Sequence, residues 1–450
     1  MRWAPALLLG CVGLAACSFT VLGGQGPDLG SPVFDLGSAD LTHAVPPDIA
    51  GSGCASCPDA CDTTMMPPRC LHLVPTGPVV ASDLTTDGLK MQSISADIVV
   101  DTDTGAISGG VTRAAGSGVI GGVGFRVATQ AKGPSVGVFS VAGLTVANTA
   151  TISFTGSNAF ALASAGMLTV HGTINGSCAG PQTPGPGAFA GATPTTMAGG
   201  PGGGANGASG ALGAASGGGG GGFGDLGGKG AQGPTLTTTA GGGIYGDLTI
   251  ATFTLLGGSG GGLGGNGGLG GPGGGAVQFS VDGDIEIDGV ITVGGCGGSG
   301  AAAGAGGGGG AGGAIVLEGA QIALGTGSVV AANGGGGGGA AVTDASGNGA
   351  TGSASTARAL GGVGAGLGGS GGLGGASGGH PGLHLTQGGD APALVGLQNA
   401  GGGGGGGSGR IALRAYMKHI DDQSTAVTPD LTDTNAAGTH QTSYDAATFQ

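Results

Sequence analysis

Charge is the first shortage. Lys and Arg supply 11 of the 450 residues and Asp and Glu 25, so charged side chains make up 8 %, where a globular domain carries about 25 %. So few cations leave no basic footprint for nucleic acid. A charge density this low also does not fit an acidic chain kept unfolded by self-repulsion. Aromatic residues stand at 3 %. No apolar run approaches the ~20 residues needed to cross a bilayer. A Gly-X-Y period is missing as well, which excludes a collagen triple helix.

Glycine is what the chain has instead. It fills 119 positions and proline 21, so the two residues least suited to helix and strand interiors dominate. Glycine is also segregated: residues 181–410 are about two-fifths glycine, too much side-chain-free backbone for an ordinary apolar core. Residues 18–80 are rich in Pro, Asp and Ser instead, and residues 17–90 read as a weakly structured tether.

Between the glycine tracts the sequence alternates. At 277–293 the odd positions run Val277, Phe279, Val281, Gly283, Ile285, Ile287, Gly289, Ile291, Val293, and the even ones are mostly polar or acidic. Successive strand side chains point to opposite faces, so this is strand–bend–strand–bend–strand with an apolar face. The cassette recurs at 139–156, 160–178, in part at 248–250, and at 315–333 and 411–413. One cassette cannot bury its apolar face alone, whereas stacked cassettes share a core. The expected fold is therefore all-β, a parallel β-helix (a solenoid) over 136–420. Cap strands precede it at 91–135, and a polar tail follows at 421–450. Glycine-rich insertions fall at 179–243, 257–275, 294–313 and 334–409, always after the last strand of one cassette and before the first of the next. They are either mobile or packed backbone to backbone.

The N-terminus carries an address. Arg2 precedes an apolar run from Ala4 to Ala16 that ends Leu14-Ala15-Ala16-Cys17, the shape of a secretory signal over 1–16. The last four residues resemble a bacterial lipobox, which implies cleavage before Cys17 and its lipidation. Ser18 follows where Asp would retain an inner-membrane lipoprotein, so the outer membrane, with display at the cell surface, is expected. In an exported chain Cys54, Cys57, Cys61, Cys70, Cys178 and Cys296 read as disulfide cysteines rather than zinc ligands. Cys178 and Cys296 end two cassettes at matching places. They can bond if those rungs are neighbours about 4.8 Å apart, and cannot if a strand at 244–258 lies between.

The stretch Phe160 to Ser177, FALASAGMLTVHGTINGS, resembles a rung of filamentous-haemagglutinin-type adhesins. With its glycine tracts it is more similar still to glycine-rich surface lipoproteins of myxobacteria, and the tracts alone resemble mycobacterial PE-PGRS proteins. The resemblance implies a surface β-helix and brings no activity with it.

Glycine at this density also creates spurious motifs. The phosphate-loop pattern fails, because Phe223 and Gly230 stand at required positions near Lys229. Gly-x-Ser-x-Gly at Ser259, Ser370 and Ser377 lacks the strand-to-helix setting of a nucleophile elbow. His380 and His384 have Pro381 between them, which forbids a shared helical face. The best chemical candidate is the acidic row Asp282, Asp284, Glu286, Asp288. Its carboxylates repeat about every 6.5–7 Å along an extended strand, within the range of inverting glycosidases and open to divalent cations, although a solvated outer face is the simpler reading. The expectation is a non-catalytic, structural or adhesive surface lipoprotein that needs no cofactor. Its partners would be the membrane, through the lipid, and extracellular glycans or other surface proteins. The alternative is a carbohydrate-active β-helix enzyme, a polysaccharide lyase or glycoside hydrolase, using 282–288. Lys229 and Arg358 are the only basic residues between 133 and 409, which disfavours anionic-polysaccharide chemistry.

Overall fold

A computed structural model describes residues 61–62, 69–210, 214–234, 236–247, 253–376, 386–393 and 400–450. The signal region, Cys17, Cys54, Cys57, the cassette fragment at 248–250, Ser377, His380 and His384 lie outside the described residues. The described chain is nearly all β, with a single 3₁₀ turn at Ala81–Leu84.

Three sheets of parallel and mixed strands hold the body together. The long-strand sheet contains Val136–Val141, Ala159–Ser164, Ala276–Val281, Ala314–Gly319, Arg410–Tyr416 and Thr442–Ala447, all parallel. Its edge is an antiparallel hairpin, Gly118–Ile120 and Val123–Ala128. A six-stranded parallel sheet contains Gly143–Val146, Leu168–Val170, Ile285–Ile287, Ile322–Leu324 and Ile420–Asp422, with Met91–Ile94 at its edge. A seven-stranded sheet contains Thr151–Thr155, Thr173–Asn175, Val290–Thr292, Val329–Ala331 and Ala426–Thr428, next to Ile98–Asp101 and an antiparallel Ile107–Gly109. The chain visits the three sheets in turn and then repeats.

Register explains why these short strands form. Leu162 faces Phe139 and Phe279, Phe279 faces Leu317, and Leu317 faces Leu413. In the third sheet Ile152, Ile174, Ile291 and Val330 make a second column. Each apolar residue thus stacks on its counterpart one repeat along. Val277, Phe279, Val281, Ile285, Ile287, Ile291 and Val293 all enter one core, as the alternation requires. Phe125, Phe139, Phe160 and Phe279 form a stack with ring centroids 4.8, 5.5 and 5.8 Å apart, within the favourable range for aromatic pairs.

Two boundaries differ from the sequence expectation. The folded body starts before residue 91, because residues 71–84 lie against the long-strand sheet as a strap. It also extends beyond 420: Ala426–Thr428 and Thr442–Ala447 add to two of the sheets, and residues 448–450 pair with 72–74. Apolar alternation is weak in both stretches. Their order comes from backbone pairing and a few buried polar contacts, which periodicity does not reveal.

Candidate functional site

Where they are described, the glycine tracts are ordered, and the tract 304–313 shows the rule. The N–H groups of residues 305, 308 and 311 donate to Gly265, Gly262 and Ser259; those of 306, 309 and 312 donate to Gly401, Gly404 and Gly407; those of 307, 310 and 313 donate to Ser299, Cys296 and Val293. The carbonyls at 305, 308 and 311 accept from Gly268, Gly271 and Gly274, while those at 306 and 309 accept from Gly218 and Gly221, and those at 307 and 310 from Gly338 and Gly335. Direction therefore repeats every three residues, as in an extended polyproline-II-type helix without internal hydrogen bonds. The tract is ringed by six others. Tracts 215–222, 334–341 and 400–409 are ringed in the same way.

This packing explains the composition. No glycine of 304–313 has a positive φ, so conformational freedom is not what requires glycine here. The reason is close approach: a β-carbon added at Gly308 would overlap the carbonyl oxygen of Gly219, and one at Gly406 that of Gly310. Ordering costs each residue ~1–2 kcal/mol of backbone entropy, and a hydrogen bond returns ~0.5–1.5 kcal/mol net. The balance is close, so a glycine bundle needs anchoring at its ends.

Anchors are present where the tracts meet the strands. Tracts leave after Thr173–Asn175, Val290–Thr292 and Val329–Ala331, and return before Ala276, Ala314 and Arg410. Thr173–Asn175 pairs directly with Val290–Thr292, with no strand between, and Cys178 is bonded to Cys296 with Cα atoms 5.7 Å apart. That cross-link closes 118 residues, and loop-entropy models assign a closure of this length about 4–5 kcal/mol. At another root Arg410 lies over the Phe223 ring and Phe223 packs on Tyr245. The Tyr245 hydroxyl donates to the Gly257 carbonyl at 2.7 Å and accepts from Ser259 Oγ at 2.9 Å. Burial holds that phenol above its ordinary pKa, against the opposing pull of the Ser259 hydrogen bond and the Arg410 charge. Phe223, Leu255, Leu256 and Ala311 join the outer face of the long-strand sheet in a second apolar cluster.

The opposite end of the bundle is a tip of turns. Ala215, Ala305, Ala340 and Ala400 form a small buried cluster there, and bridges join Gly304 to Ala341 and Gly368 to Ala400. Beyond them Asn266, Ala302, Thr343, Asp344 and Leu367 are exposed. The tip offers small, mostly neutral side chains on a backbone fixed by hydrogen bonds.

The acidic row does not form one carboxylate face. Only Glu286 lies in a strand, Ile285–Ile287, while Asp282, Asp284 and Asp288 fall in the bends between strands of different sheets. Asp282 is buried: its Oδ1 accepts from the Leu73 N–H at 2.6 Å and its Oδ2 lies 2.5 Å from His72 Nδ1. Asp288 is exposed and pairs with His171 at 3.1 Å. Glu286 sits in register between Thr169 and Ala323, and Asp284 and Glu286 are half-buried. A solvated outer face is therefore wrong for Asp282, because the strap covers it. Among the described residues no group of three or more His, Cys, Asp or Glu is arranged to hold a metal ion.

The strap also covers a polar cluster that the sequence reading missed. Glu318 and Arg414 are paired in register on neighbouring strands and are 1 % and 0 % exposed, with 3.7 Å between Oε2 and Nη1. Glu318 accepts from the Thr76 N–H at 2.9 Å, Thr76 Oγ1 at 2.7 Å and Ser280 Oγ at 2.5 Å. Arg414 Nη1 donates to Thr76 Oγ1 at 2.7 Å. Burial lowers the Arg414 pKa from its ordinary value, and the Glu318 charge opposes that shift. One signal was available: each residue directly follows the leucine of its cassette, so opposite charges were due to meet. Cys70 is disulfide-bonded, and Cys61 faces it in a short antiparallel ladder.

No family model, curated protein or solved structure matches this chain.

Proposed function

We propose that this is a non-catalytic surface scaffold, an adhesive or structural lipoprotein in which a parallel β-helix carries a bundle of glycine helices and presents its tip. Three-sheet periodicity with in-phase apolar columns supports the β-helix reading. The observation that carries the functional reading is the bundle itself. About two-fifths of the chain falls in glycine-rich tracts, and in their described parts the backbone amides bond from tract to tract, an arrangement that makes a stiff projection rather than a catalytic pocket. Asp282, the first residue of the acidic row, holds the strap instead of facing a substrate.

The Leu14–Cys17 sequence supports export with a lipid on Cys17 and a place at the outer membrane. Partners would then be extracellular glycans or proteins that meet the tip. A glycan array probed with the purified chain, scored for binding and for cleavage products, separates the two readings. The scaffold reading expects capture without cleavage, and a Thr343→Ala/Asp344→Ala tip variant that captures less. Release of new reducing or unsaturated ends would support the enzyme instead.

A further inference from the structure

We propose that residues 71–84 form a load-released latch, which undocks as a unit when the chain ahead of it is pulled and so exposes the outer face of the long-strand sheet. The proposal rests on the anchored-scaffold reading, in which tension would enter through the segment between Cys17 and Cys70.

The strap crosses the long-strand sheet from one edge to the other. At its start the His72 N–H donates to Gln450 O at 3.0 Å and the Val74 N–H to Thr448 O at 2.8 Å, beside the last strand. In its middle Thr76 reaches Glu318 and Arg414, and Gln278 Nε2 donates to the Thr76 carbonyl at 2.8 Å. At its far end Arg126, on the antiparallel edge hairpin, donates through Nε to Asp83 Oδ1 at 2.7 Å and through Nη2 to the Pro78 carbonyl at 2.9 Å.

These attachments differ from those of the body beneath. The body is held by continuous parallel ladders and an interior apolar core. The strap is held by a few discrete polar clasps with Leu73, Val79 and Leu84 packed between them. A segment held by a few clasps opens as one low-stability unit, at a load that the ladders and core beneath it withstand. Once Thr76 leaves, Glu318 loses two hydrogen bonds and meets water, which rehydrates its charge and slows reclosure. The released face then presents Gln278, Ser280 and Glu318, polar side chains that are buried in the closed form, while Arg414 keeps its contact with Phe253.

The test pulls the full chain in an optical trap between handles at Ser18 and Ala302. Wild type should show a first, low-force lengthening on the order of 50 Å, the reach of a strap this long, well before the far larger steps of sheet unfolding. Asp83→Asn should raise its rate, extrapolated to zero force, about tenfold by neutralising the carboxylate that Arg126 grips, and Thr76→Val should raise it further, because it removes both the bond to Glu318 and the one from Arg414. Both variants should leave the later steps unchanged. A trace with no separate strap-sized step, or one whose rate neither variant moves, overturns the latch. Because the pull needs no lipid, a failure of anchoring is read separately: labelled palmitate would not enter the wild-type chain.

Discussion

Gly308→Ala is expected to destabilise the protein by about 3 kcal/mol or more, far beyond what one methyl group does on a surface. The new β-carbon would overlap the Gly219 carbonyl, inside a tract whose six neighbours leave it nowhere to move. Separating tract 304–313 from 215–222 would break their hydrogen bonds, and the shift would pass to the four ringed tracts together. Gly243→Ala provides the contrast. Nothing lies within 4 Å of a β-carbon there, so that substitution should be neutral or stabilise by up to ~1 kcal/mol through the unfolded chain. Chemical denaturation should put the Gly308→Ala midpoint well below the wild-type value and the Gly243→Ala midpoint at or slightly above it. Equal midpoints would mean that the tracts do not touch.

The second large effect is expected at the buried ion pair. Arg414→Met leaves Glu318, 1 % exposed, as a buried carboxylate without its cation, and should cost roughly 3–5 kcal/mol. The methionine still fills the place over the Phe253 ring, where the guanidinium carbon sits 5.3 Å from the centroid. Replacing both residues, as Arg414→Met with Glu318→Leu, removes the stranded charge and should recover a substantial part of the loss. It should not recover all of it, because Thr76 loses its acceptor on Glu318. A double-mutant cycle on unfolding midpoints measures this coupling. Additive losses would show that the two charges do not interact.

Much of the fold was legible because stacked strands leave a period-two signature. Val277, Phe279, Ile285, Ile287 and Ile291 announced their inward side, and matching cassettes announced the stacking. The Cys178–Cys296 pair followed once the two rungs were taken as neighbours. The opposite face was read less well. Gln278, Ser280 and Asp282 look like solvated strand residues, and only a segment about 200 residues earlier buries them. Nothing local marks residues 71–84 as that segment, since its grip lies in single contacts such as Thr76 to Glu318 rather than in periodic apolar residues. The tracts show another limit. Composition demanded backbone without side chains, but mobile and packed tracts share one composition, and the difference lies in hydrogen bonds between segments far apart in sequence, such as Gly309 to Gly404.

The bundle is held by those hydrogen bonds, and amide hydrogen exchange measures them directly. Each N–H of residues 304–313 has a backbone acceptor, and the middle of the tract is buried. Peptides covering 304–313 and 400–409 should therefore exchange as slowly as those covering core strands such as Ala276–Val281, while the exposed residues 302 and 303 at the turn exchange quickly. Exchange across 304–313 at the rate of an unstructured glycine chain would contradict the bundle, and with it the reading of this protein as a stiff, tip-presenting scaffold.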